Sequence, residues 1–491
     1  MEALLLGIDI GTSGCKCCIT DRMGEIVCTH SVEYTYLSDG HGMAEQDPDT
    51  WYQALIRTLD DIKDQYHIDL EHIAAVGVTG QMRGLTFIGR NGDVVRNTIL
   101  WNDTRCTKQV DSIIRSGYED IKRITYNPLN TMCTLPKLLW VKQKEPGIYR
   151  QTETIIFPKD FINYRLAGVL ATDHTDASAT LLYDMQTGTW SVDILDRFDI
   201  DKEKLPVIHN SFDIIGSVTA KAARQTGLAE GVPVIAGGSD ATVELYAAGI
   251  TDDTRCKIRL GSSCGISIVI DPKDWAADMN HYCWKHVDGK RIVLDINTRS
   301  CATSVKWLRD VFYSECPKEG KTYQRMDTEA AGISPGSNGL VFHPYLQGED
   351  APYWEPRLRG MFTGIGIQHL RAHFGRAVYE GVSFAIKDVI DTYSQVYENC
   401  KEYILLGGGT KAATWIGVLL DVLGQNAYIP EKVDGAYGAS LMAGESCCGG
   451  FHSPRSKGVE MQYDPSRHDL YGDIFQAYKK LAGQAINNLK A

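Results

Sequence analysis

Short apolar runs near the start of the chain and again past its midpoint each end on glycine and hydroxyl residues. Leu4 to Ile10 predicts a strand, Gly11-Thr12-Ser13-Gly14 a turn, and Cys15 to Thr20 a second strand. Past the turn at 21–24, a third strand is predicted near Glu25 to Tyr34, so the chain opens as a β-meander. The same device returns at Cys256 to Leu260, followed by Gly261-Ser262-Ser263-Cys264-Gly265 and the apolar run Ile266 to Ile270. Gly11-Thr12-Ser13 aligns with Gly261-Ser262-Ser263. A further pair of β-rich runs, Ala75 to Gly80 and Tyr403 to Gly409, ends on glycine turns in the same order along the chain. Such repetition implies two similar halves.

Between these runs the apolar spacing changes to a helical period. Trp51, Leu55, Leu59 and Ile62 form one stripe, and Phe374, Val378, Ala385, Val389 and Tyr393 another. Both read as core packing. The segment Leu228 to Gly238 ends a strand at a tight turn and leads into a helix, which puts a boundary near residue 249. At 491 residues the chain exceeds what one core usually supports, so two α/β domains, 1–249 and 250–491, with a cleft between them, are the expectation.

Composition narrows the function. With 43% hydrophobic and 23% charged residues the chain has material for sizeable cores. A net charge of −12 without a long Lys/Arg run excludes nucleic acid or an anionic membrane as the main partner. The opening Met1 to Leu6 is too short and too soon acidic for a signal peptide, and no apolar run approaches a membrane span, so a cytoplasmic location is expected. The 14 cysteines are scattered, and Cys15, Cys17 and Cys18 lie within an apolar run, which reads as reduced thiols packed as small hydrophobes rather than a metal site.

Glycine-hydroxyl turns between strands present backbone N–H groups to one concavity, which suits a polyphosphate. Asp9 ends the first strand just before such a turn, where a carboxylate can hold Mg²⁺; a turn-capping aspartate would read the same from this residue alone. Lys16, beyond the turn, is a candidate for added positive charge near a transferring phosphoryl group. Asp240 follows Gly237-Gly238-Ser239 at the start of a predicted helix, where it can take the proton of an attacking hydroxyl or serve as helix N-cap. Gly407-Gly408-Gly409-Thr410 offers flat backbone for a purine or ribose.

Taken together, Gly7-Ile8-Asp9-Ile10-Gly11-Thr12-Ser13, Gly237-Gly238-Ser239-Asp240 and Leu406-Gly407-Gly408-Gly409 resemble the FGGY carbohydrate kinases, and within them the xylulokinases. The likeness runs through Glu45-Gln46-Asp47-Pro48, Gly80-Gln81-Met82, Leu100 to Cys106, Pro136 to Trp140, and the long signature Gly360 to Ile365 with His373-Phe374 and Ala377 to Glu380. It implies ribonuclease-H-like, actin-type folds in both halves and ATP-Mg²⁺ against the second. The sugar would bind the first, and a homodimer is common among similar kinases. On it Asp240 is the base and Asp9 the metal carboxylate. Thr12, Ser13, Gly261, Ser262 and Ser263 would serve the phosphates, and Gly408, Gly409 and Lys411 the adenosine. Gln81, Met82, Arg83, Trp101, Asp103 and Ala241 would join Asp240 around the sugar.

Departures bear on substrate. Arg83 stands where xylulokinases usually have His, Ala241 where they have Asn, and Asp350 where the family commonly has Arg. Hydroxyl readout should therefore change. A ketopentose such as xylulose, another ketose, a polyol or a sugar acid are all acceptors in view, and a non-catalytic sugar- or ATP-responsive regulator is the alternative class.

Overall fold

The computed structural model describes residues 3–315, 320–449, 451 and 456–490. It divides into two compact units. One comprises the chain up to Thr251 with Asp271–Leu294 and Val433–Ser456; the other comprises Asp252–Ile270, Asp295–Lys432 and the chain from Lys457 on. The chain thus returns to the first unit in two segments that a single cut near 249 assigns to the second half.

In the first unit the opening runs form strands Leu4–Ile10, Gly14–Thr20 and Ile26–Glu33, each antiparallel to the next. On its other side Leu4–Ile10 pairs in parallel with Ile73–Gly80, which is followed in the sheet by Pro233–Ile235 and Ile214–Ser217. The two-residue strand Gly238–Ser239 also pairs in parallel with Ile73–Gly80. Helix Pro48–Tyr66 starts at Asp47, whose carboxylate accepts from Asp49 N at 3.0 Å, and buries Trp51, Leu55, Leu59 and Ile62 as the stripe requires. Helix Gly435–Cys447 lies directly on the first two parallel strands. A side chain at Gly7 would meet Ala436 O at 1.9 Å, and one at Gly77 would meet Ala439 O at 2.1 Å, so this backbone approach demands glycine.

The second unit repeats the device. Arg255–Leu260 and Cys264–Ile270 form an antiparallel hairpin, and Arg255–Leu260 pairs in parallel with Glu402–Leu406. Beyond these follow Ala427–Pro430 in parallel and Gly458–Met461 antiparallel. The helix predicted from Phe374 onward spans Arg371–Thr392 and is buried on most sides, not along one stripe. Its polar residues are absorbed in pairs: Arg376 Nε donates to Glu380 at 2.9 Å, and Tyr471 donates to the same carboxylate at 2.9 Å. The helix ends one residue before Tyr393.

Thirteen cysteines fall among the described residues; all are free thiols and ten are buried. Among the described residues no helix is long and apolar enough to cross a membrane.

Candidate functional site

Register alone gathers the chemistry of the first unit. Asp9 lies opposite Thr79 and Ile10 opposite Gly80, while Gly238 and Ser239 lie opposite Thr79 and Gly80 on the other side. Three parallel strands therefore end level, and the residues that follow, Gly11-Thr12, Gln81 and Asp240, emerge at one edge. Thr79 Oγ1 donates to Gly238 O at 2.7 Å and ties two of them together. The carboxyl ends of parallel strands are where open α/β sheets place ligands.

Asp240 is the first residue of helix Asp240–Ala247, and the N-cap position belongs to Ser239. Ser239 fills that position without a side-chain bond to a helix amide, its hydroxyl lying 2.9 Å from Thr242 Oγ1. Asp240 is half-buried, and its Oδ1 accepts from Ala241 N at 2.8 Å. The helix start is pinned from below, because Ser239 N donates to Thr175 Oγ1 at 2.7 Å. Thr175 sits in a short helix capped by Asp173, which also accepts from Ser211 at 2.7 Å and pairs with the fully buried Lys159 at 3.0 Å.

Asp9 keeps some exposure as a residue, but its Oδ1 is sealed and has no hydrogen-bond partner. Burial first, then the carboxylates of Asp240 and Asp434, push its carboxyl up to about 7 against the opposing pull of Lys16. Gly435 faces it so closely that a side chain there would stand 2.8 Å from Oδ2. An acceptor-only oxygen left bare beside further carboxylates fits a divalent cation. Lys16, the cross-strand neighbour of Asp9, does not project alone: its Nζ is 2.6 Å from Oδ2 of Asp434, the N-cap of helix Gly435–Cys447.

Thr12, expected at the phosphates, is bonded to two residues of the set expected around the sugar. Its hydroxyl donates to Gln81 Oε1 at 3.0 Å and accepts from the Trp101 indole at 3.0 Å. Gln81 is buried and also donates to Gln46, while Trp101 is exposed, Met82 and Ala241 are half-buried, and Ser13 is exposed on the turn. Arg83 is buried with a backbone φ of 63° and lies over Tyr282 and Trp284, 5.0 and 5.7 Å from the ring centroids. The fully buried Lys137 amine donates to the carbonyls of Arg83 and Leu100 at 3.0 and 2.9 Å, fixing the backbone beneath Arg83 and just before Trp101. Burial pulls this amine down to about 7.

Asp103 requires correction. It is fully buried, and its oxygens accept from Arg105 Nε at 2.9 and 2.8 Å, from the Arg105 amide and terminal nitrogen, and from Ala44 N at 2.7 Å. No face is left for a sugar; its role is to hold the loop that carries Trp101.

The second unit holds a cavity of about 1010 Å³ lined by Gly261, Ser262, Gly408, Gly409 and Lys411, and walled by Tyr379 and Trp415. These two rings stack at 5.7 Å with an interplanar angle of 7°. Gly409 is obligatory, since a side chain would meet Leu260 Cβ at 2.7 Å and Trp415 Cζ3 at 2.8 Å. The carbonyls of Gly261 and Ser262 accept from the first amides of helix Ala302–Phe312, leaving Ser262 and Ser263 exposed. Asp327 lines the wall with Oδ1 buried and unpartnered while Oδ2 accepts from Thr414 N. The anomalous Asp350 is balanced in its own unit by Arg299 at 2.7 Å.

Sequence reasoning did not single out Asp434, Tyr282, Trp284 or Asp327 as site residues. Asp434 before Gly435 carries a helix-start signal; nothing in the linear pattern ties the other three to their neighbours.

Residues 4–246 match the FGGY family of carbohydrate kinases, N-terminal domain, and 256–447 its C-terminal domain. A xylulose kinase of Staphylococcus epidermidis is 30% identical over 99% of this chain and 97% of its own length. The crystal structure of xylulose kinase from Rhodospirillum rubrum superposes with a TM-score of 0.91 at 24% identity, covering 99% of this chain and 100% of that one. Gluconate kinase from Lactobacillus acidophilus gives a TM-score of 0.87 at 24% identity, covering 99% of both.

Proposed function

Because the chain belongs to the FGGY family of carbohydrate kinases, we propose that Asp240 is the base through which this sugar kinase phosphorylates a hydroxyl of its substrate. The observation that carries the assignment is the level ending of three strands, which brings Asp240 to the edge shared by Gln81 and Thr12.

The reaction is an in-line displacement at the γ-phosphorus of ATP. The bond from substrate oxygen to phosphorus forms, the bond to the β–γ bridging oxygen breaks, and ADP leaves. The substrate hydroxyl's proton passes to Asp240, whose place on a helix start anchored through Ser239 and Thr175 holds it still. Trp101 offers an exposed ring face to the sugar, and Gln81, steadied by Thr12 and Gln46, offers an amide.

The cavity of the second unit is the nucleotide site in this reading. Flat backbone at Gly408 and Gly409 meets the adenosine, and Ser262 and Ser263 meet the phosphates. The first unit thereby carries sugar and base, and the second carries ATP. Mg²⁺ would neutralise charge across the phosphates when bound. Asp9 would hold it, a role supported by the bare, sealed Oδ1. Among the described residues no group of three or more His, Cys, Asp or Glu forms a ready-made cage. The reading puts the enzyme in the cytoplasm.

Similarity to xylulose kinases makes a ketopentose such as xylulose the reference acceptor. The test is ADP release from Mg-ATP across ketoses, polyols and sugar acids with a no-sugar blank. Stimulation by a sugar is expected; nucleotide binding without stimulation by any acceptor would overturn the reading.

A further inference from the structure

Arg83 is a buried cation without an anion. Its side chain belongs to a residue only 7% exposed, its Nε is sealed and unpartnered, and among the described residues it has neither an ion pair nor a hydrogen bond from its guanidinium. Two aromatic walls, Tyr282 and Trp284, present ring faces to the guanidinium, which attract a cation without pairing its N–H groups. Trp284 adds a second bare donor, an indole Nε1 that is also buried and unpartnered. The carboxylate of Asp103, in the same part of the unit, is consumed by Arg105 and Ala44 N.

The arrangement is held, not incidental. Arg83 adopts a left-handed φ of 63°, which costs a bulky residue energy and persists where surrounding structure enforces it. The enforcement comes from Lys137, whose amine grips the Arg83 carbonyl. Tyr282 is fixed by Asn130 Nδ2, which donates to its hydroxyl at 2.9 Å. A guanidinium whose Nε is sealed and bare, beside a second bare donor on Trp284, is completed by a planar, doubly accepting anion, which a neutral hydroxyl matches less fully.

We infer that the acceptor of this enzyme carries a carboxylate bound by Arg83, so that the substrate is a sugar acid of aldonate or ketoaldonate type rather than a neutral ketose. This rests on the kinase reading of the same site. The class of reaction that supplies it is an oxidation of a sugar's aldehyde or alcohol carbon to the acid, and the product is a phosphorylated sugar acid.

The experiment measures ADP release from Mg-ATP with D-xylonate, D-gluconate and 2-keto-D-gluconate against D-xylulose, D-ribulose and xylitol. Wild type, Arg83→Met and Arg83→Lys are compared, with calorimetric binding and thermal melting recorded for each. The best acid is expected to exceed the best neutral sugar in kcat/KM by ~100-fold or more. Arg83→Met should bring that ratio near one, with Arg83→Lys between. A neutral sugar preferred by wild type, with a ratio that Arg83→Met leaves unmoved, overturns the inference. If no probe is turned over, calorimetry decides: acid binding that Arg83→Met abolishes while melting is retained keeps the inference and sinks the kinase reading. Absence of acid binding to wild type overturns the inference itself.

Discussion

Thr12 Oγ1 donates to Gln81 Oε1 at 3.0 Å, so the turn expected to serve phosphates is tied by its first hydroxyl to a residue expected to serve the sugar. The Trp101 indole donates to the same oxygen. Thr12→Val removes both interactions and strands the buried Gln81 carbonyl, at about 1–3 kcal/mol. The KM for sugar should rise roughly 10-fold or more, while nucleotide affinity measured without sugar stays near wild type. A selective loss of ATP affinity would return Thr12 to the phosphates.

Lys137 is a positioning residue. Lys137→Met leaves the Arg83 carbonyl without its donor, while the Leu100 carbonyl keeps the Asp103 amide at 3.2 Å. The expected cost is about 1–3 kcal/mol for the carbonyl left bare, read as a lower melting temperature. A rise in sugar KM with an unchanged KM for ATP separates this from general destabilisation. An unaltered sugar KM in a folded variant contradicts the role.

Much of the architecture was legible because strand and turn chemistry is local. Leu4 to Ile10 and Cys256 to Leu260 are apolar runs closed by glycine-hydroxyl turns, and both became the first strand of a hairpin with a parallel partner. What escaped is non-local. Asp434 meets Lys16 across 418 positions, and no spacing rule links Arg83 with Tyr282 and Trp284. Asp103 misled for a partly local reason: Arg105, two residues away, takes both of its oxygens, and Ala44 N adds a further bond. Part of the long C-terminal signature is structural. Met361–Thr363 pairs with Val341–His343, and Glu380 binds Arg376, Ser337 and Gly336 N.

Gly409→Ala tests the nucleotide cavity. The added carbon collides with Leu260 and Trp415, an overpacking of about 1–3 kcal/mol that displaces the Trp415 wall. ATP affinity should fall at least ~10-fold with sugar binding preserved. An unchanged ATP affinity would remove this wall from the site.

Glu349 gives a pH signature. Burial pushes its carboxyl up to about 8, against two backbone amides that favour the ion. A folded-state value above the unfolded one means its stabilising share is full below about pH 4.5 and lost as pH rises through 8, at about 1.4 kcal/mol per unit at most. Glu349→Gln imitates the neutral acid. Its melting temperature should match wild type near the acid end of that window and exceed it at the alkaline end. An equal difference at both ends would contradict the assignment.

The central claim is the base. Asp240→Asn keeps the shape and loses the proton acceptor, so phosphoryl transfer to the preferred sugar should fall ~100- to 10,000-fold in kcat. Nucleotide affinity and melting temperature should stay near those of the native enzyme. Sugar-dependent ADP release persisting at the native rate in a folded Asp240→Asn enzyme would contradict the account.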